Sequence, residues 1–224
     1  MSRITDYHLP AEEVPCPQSK FMRVIWDLPE DAIYEVHAYE NPVKFDKAIP
    51  SSFSQTDRDE HMVHVLSKTK HKTKKINLLN FLSITTFRLQ KLILESDLTH
   101  HPNLNLFANT HHTFFEIVPS NFNGLNKPKN VHTCHAETVH IGDDANLRAH
   151  RRHVMLALPV EKPSDKLYAF LYRLYVHELA HTLANHVRYR PDDHNADFIY
   201  CENLLKPLLN VISFEENLRN IIDY

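Results

Sequence analysis

The chain has 224 residues, enough for one domain of ordinary size with a real apolar core. Its 25 Lys and Arg nearly balance 28 Asp and Glu, and a net charge of −3 gives no case for binding polyanions over the whole surface. The three cysteines, Cys16, Cys134 and Cys201, are odd in number and widely spaced, which excludes a disulfide framework.

No apolar leader stands near Met1, and no apolar run is long enough to span a bilayer. The expectation is an intracellular protein, cytoplasmic or nuclear, neither secreted nor membrane-bound. Gly124 and Gly142 are the only glycines, so Asn, Asp and Pro must make most turns. Residues 1–60 read as a partly ordered N-terminal extension, broken by Pro10, Pro15, Pro17, Pro29, Pro42 and Pro50. Residues 21–26 alternate as a strand does, and residues 33–39 are a second candidate. Residues 51–55 look like linker, and residues 61–224 are taken as the functional domain.

Lys68, Lys70, Lys72, Lys74 and Lys75 crowd one short stretch. Such a run suits a solvated linker, an import signal or a phosphate-contact patch, but no aromatic interleaves it to stack bases. Residues 76–95 then carry Leu78, Leu79, Leu82, Leu89, Leu92 and Ile93 at helical spacing, predicting an amphipathic helix. The pairs His100-His101 and His111-His112 chelate poorly because adjacent side chains diverge, so they are expected on the surface or in loops. Residues 113–118, 131–141 and 153–158 read as strands. Alternation in the second would put His132, Cys134 and His140 on one face.

The organising segment follows. Ser164 is a candidate N-cap and Asp165 an acidic first-turn residue, and no Gly or Pro interrupts the pattern to about Val187. Tyr172, Val176, Leu179, Ala180, Leu183 and Val187 share one arc of this helix. His177, Glu178 and His181 lie on another, continuing a line from Phe170 and Leu174. These three form an HExxH pattern, Val176-His177-Glu178-Leu179-Ala180-His181. At about 100° per residue, His181 sits roughly 40° round from His177 and one turn on, so both imidazoles reach one ion. Zn2+ takes such a pair plus a third ligand, leaving one position for water, and Glu178 is placed as the base.

Three residues compete for the third ligand. On a straight helix His186 lies about 180° from His177 and points away. His194 stands where a second helix could start after a short loop, and it is preferred. Glu202 is the runner-up. A Gly-containing HExxHxxGxxH site is excluded by Ala184 and Val187.

HELAH, followed after a loop by His194-Asn195-Ala196-Asp197-Phe198, resembles the SprT and WLM group of zincin-like metallopeptidases, and within it those encoded by large DNA viruses. In that group a third His is followed four residues later by an aromatic, which His194 and Phe198 match. Where the group often has Gly after the third His, this chain has Asn195.

The resemblance implies an α+β zincin-like fold, with a small mixed sheet packed on the HExxH helix and a second C-terminal helix carrying the third ligand. It also implies Zn2+ held by His177, His181 and His194, Glu178 as catalytic base, and peptide or protein substrates, with a hint of DNA-associated ones. The substrate is expected as an added strand on a sheet edge, with residues 153–158 as the candidate. Arg188, Tyr189 or Arg190 would stabilise the oxyanion, and Asp193 or Asp197 would orient a ligand. Two other readings stay open: a zinc-stabilised scaffold without activity, and a nucleic-acid-associated protein using the 68–75 lysines.

Overall fold

The computed structural model describes residues 12–15, 33–37, 63–117, 120–123, 131–134, 136–141, 151–159, 162–186 and 194–222. Within them the chain is α+β. It runs β1 (Glu12–Pro15), β2 (Ile33–His37), β3 (Val63–Leu66), α1 (Lys72–Leu94), a 3-10 turn (Asp97–His100), α2 (Pro102–Ala108) and β4 (His111–Glu116). Then come β5 (Ser120–Asn123), β6 (Val131–Cys134), β7 (Ala136–Ile141), β8 (Arg151–Leu156), α3 (Asp165–Leu183), α4 (Ala196–Val211) and α5 (Phe214–Ile222). The expected strand at 21–26 and linker at 51–55 lie outside the described residues. None of the described helices is long and apolar enough to cross a membrane.

Six strands form one mixed sheet in the order β1-β2-β3-β4-β8-β7. β3, β4 and β8 run parallel at its centre, flanked by antiparallel β2 and β1 on one side and β7 on the other. The N-terminal region thus contributes two strands. Parallel neighbours need crossovers; α1 and α2 bridge β3 to β4, while β5 to β7 intervene between β4 and β8. Val63, Val65, Phe114, Val154 and Leu156 join a single buried core with residues of all five α-helices. On the alternate positions His64 stacks on Phe115 at 4.1 Å between centroids, and His153 meets Phe115 at a tilt, 4.6 Å away.

Two strand expectations change. Residues 131–141 are two strands in different sheets, since β6 pairs with β5 while β7 pairs with β8. His132 and Cys134 therefore do not share a strand with His140, because alternation cannot register a chain that changes partners. Residues 153–158 are no edge either: β8 pairs on both sides, and among the described residues β7 and β1 end the sheet.

Two of the five lysines in the run are built into the fold, while Lys68, Lys70 and Lys74 are exposed. α1 begins at Lys72 rather than at residue 76, because Lys72 pairs with Glu35 at 2.5 Å and Lys75 pairs with Glu116. Glu116 is 1% exposed and also accepts from the Leu66 amide and the Thr69 hydroxyl. His112 is buried on β4 rather than exposed, with Nε2 3.2 Å from Thr182 Oγ1.

Tyr175 sets the rotation of α3. It is fully buried, stacked 4.8 Å from Phe214, with its hydroxyl 2.8 Å from Thr86 Oγ1 and donating to Leu82 O at 3.2 Å. Burial pushes its phenol well above the ordinary range. A residue two places along a helix lies about 200° round, so seating Tyr175 in the core turns His177 away from it. Tyr175→Phe is expected to cost about 1 kcal/mol, the net worth of one buried hydrogen bond, because Thr86 still donates to Leu82 O. Chemical denaturation would read it as a lower midpoint at unchanged slope.

Candidate metal centre

α3 starts as its sequence indicates, with Ser164 Oγ accepting from the Leu167 amide at 3.2 Å. It ends four residues before the expected Val187. Asn185 takes the left-handed region at φ 54°, which Asn tolerates better than most residues, and its amide donates to Thr182 O. From β8, Arg152 reaches the same turn and donates to His186 O at 2.7 Å and to Asn185 Oδ1 at 3.3 Å. From α2, Asn103 caps the helix by donating to Leu183 O at 2.9 Å.

After this turn the chain returns and α4 begins. Asn195 is its N-cap, with Oδ1 accepting from the amides of Asp197 and Phe198 at 3.0 and 3.1 Å. The residue that departs from the SprT-like pattern thus has a defined local job. It fixes the start of α4 directly after His194.

The fold brings His177, His181 and His194 together, with one ring nitrogen from each inside a 4.8 Å spread. His177 Nε2 and His194 Nε2 are 3.1 Å apart. A tetrahedral ion with bonds near 2.0–2.1 Å separates its ligand atoms by roughly 3.4 Å, so this pair already has almost the required spacing. Phe198, 2% exposed, floors the group with its ring centroid 4.9, 4.7 and 4.8 Å from those of His177, His181 and His194.

Each α3 imidazole is also held from behind. His177 Nδ1 faces Glu202 Oε1 at 3.5 Å, and His181 Nδ1 lies 2.9 Å from His186 Nδ1. Both therefore keep Nε2 for an ion. Glu202, the alternative third ligand, stands behind His177 rather than beside His194. His186 does not point away, because the straight helix that required this ends before it.

Burial holds His181 down to about 3, with the neighbouring His177, His186, His194 and Arg152 acting in the same direction. Burial and then His194 also lower His177, against the opposing pull of Glu202. Both imidazoles are therefore neutral near pH 7, the state that ligates.

Glu178 is 3% exposed. Thr138 of β7 contacts it twice, 2.7 Å from Oε2 and 3.0 Å from its carbonyl oxygen. One hydroxyl hydrogen serves both acceptors, pinning the carboxylate to β7. Thr138 lies 40 positions away in sequence, and no local pattern marks it. Asn185, whose backbone takes the left-handed region, ends the helix and brings His186 into the site, a turn that the uninterrupted apolar pattern to Val187 does not mark. Arg188, Tyr189, Arg190 and Asp193 lie outside the described residues. Asp197 sits in the first turn of α4, and it is Glu202, one turn further on, whose carboxylate meets His177.

No protein-family profile, curated protein or solved structure matches this chain.

Proposed function

We propose that this protein is a zinc-dependent metallopeptidase of the zincin-like kind, related to the SprT and WLM group. One observation carries the reading: two histidines of α3 and one from the turn just before α4 converge within 4.8 Å, and the residue after the first of them, Glu178, is a buried carboxylate. The donor set fits zinc, since neutral imidazoles suit it and three protein ligands leave a coordination position open, as catalytic sites do. His177, His181 and His194 would hold the ion. When bound, zinc lowers the pKa of water toward about 7 and polarises a carbonyl oxygen.

The chain's own residues supply the rest. Glu178 accepts the proton of the attacking water and returns one to the leaving amine nitrogen. Thr138 holds the carboxylate for both transfers. Among the described residues β7 is the edge strand on the side of β8, so an extended peptide pairing along it would lie against the strand that carries Thr138. Substrate register and base position are coupled through that one hydroxyl.

Two observations weigh against the other readings. A closed structural site needs a fourth protein ligand, and Glu202 meets His177 on the nitrogen away from His194. A nucleic-acid patch needs outward lysines, and two of the five, Lys72 and Lys75, are spent on Glu35 and Glu116, which leaves only Lys68, Lys70 and Lys74 exposed in the run.

The deciding experiment compares wild type with Glu178→Gln for zinc content and for cleavage of an unfolded protein, free and DNA-bound. Wild type that carries zinc and cleaves nothing removes the peptidase. A narrower result is expected from Thr138→Val. Losing a hydrogen bond to a charged group is worth about 1.5–3 kcal/mol, so kcat should fall by about tenfold or more with KM nearly unchanged, and Thr138→Ser should restore it. A change confined to KM would assign Thr138 to substrate binding instead.

A further inference from the structure

Arg152 is the largest fully buried side chain of the described residues, at 1% exposure, and its only recorded hydrogen-bond partners are oxygens of the turn after α3. Its Nε has no hydrogen-bond partner among the described residues. A buried guanidinium with no carboxylate partner among the described residues is costly, and burial lowers it to about 10, so it stays charged near neutrality. Stability alone gives little reason to keep it. What it fixes is the main chain of His186, whose amide also donates to His181 O at 3.0 Å.

The ring of His186 is fixed as tightly. It stacks on Phe198 with 14° between the planes and centroids 5.9 Å apart. Nδ1 lands 2.9 Å from His181 Nδ1. Of the two nitrogens, one must donate and the other accept. If His181 offers Nε2 to a metal, its Nδ1 carries hydrogen and donates, and His186 Nδ1 must accept. That requires the His186 tautomer with hydrogen on Nε2. Metal-bound histidines almost always donate their second N–H to such a partner, which orients the ring and raises its basicity.

We infer that His186, anchored by Arg152, is a positioning residue that accepts the Nδ1 hydrogen of His181 and so presets that imidazole for the metal. This rests on the metal centre proposed above, but not on peptidase activity. His177 and His181 would then be held by different chemistry, a carboxylate behind one and a neutral imidazole behind the other.

The test is an equilibrium zinc titration of the full chain against a competing chromogenic chelator, with folding checked by circular dichroism. His186→Ala should weaken zinc binding about 10–100-fold, the usual cost of removing such a partner. His186→Phe keeps the stacking on Phe198 without an acceptor and should lose as much. His186→Asn sets an amide oxygen near the Nδ1 position and should bind close to wild type. Equal affinity of His186→Ala and wild type overturns the inference and leaves the metal centre standing. So does full binding by His186→Phe, which would reduce His186 to packing. Wild type that takes up no zinc overturns the metal centre and this inference together.

Discussion

Glu178→Gln is expected to lower turnover of an unfolded protein substrate by about 10²–10⁴-fold, the usual worth of a positioned general base, while zinc content stays at the wild-type level. The two halves of this result test different things. Gln keeps the size of the side chain and one oxygen that can still accept from the Thr138 hydroxyl, 2.7 Å away in the native site. The proposed ligands His177, His181 and His194 are untouched, so metal loss is not expected. The substituted side chain cannot take a proton from water, so chemistry stops. Metal loss together with activity would mean that Glu178 ligates the ion or holds the helix turn. Residual cleavage within a few-fold of wild type would place the base elsewhere.

The second large effect separates the ligand from its supporters. His194→Ala should weaken zinc binding by more than about 100-fold, beyond the 10–100-fold range of residues that orient a ligand from behind. It removes one of three converging nitrogens, and nothing described can replace it at 3.1 Å from His177 Nε2. Glu202→Ala should cost only about tenfold, because its contact is long at 3.5 Å and 26% of its side chain is exposed. Chelator competition on the two variants in parallel would decide the order. If Glu202→Ala strips the metal and His194→Ala keeps it, the third ligand has been misassigned.

The sequence determined the local parts of this site, because each depends on residues within a turn or two of one another. Ser164 and Asp165 start α3, the HExxH spacing puts two imidazoles on one side of it, and Asn195 starts α4 directly after His194. The α+β class was legible in the same way, from strands of period two followed by long apolar helices. Less was legible where pattern and pairing differ. Residues 131–141 alternate as one strand but divide between two sheets. Residues 68–75 look like a solvated basic run, yet two of their five lysines pair with Glu35 and Glu116.

The tertiary structure alone decided what surrounds the site. Thr138 reaches Glu178 across 40 positions and Arg152 reaches His186 across 34, and no periodicity encodes such contacts. His186 is the instructive case. Extending the helix in a straight line sends it away from the site, but Asn185 in the left-handed region ends the helix and folds it back onto His181. Which strand forms the sheet edge was settled in the same way. Edge position depends on how many neighbours a strand finds, and that is a property of the assembled sheet rather than of any one segment.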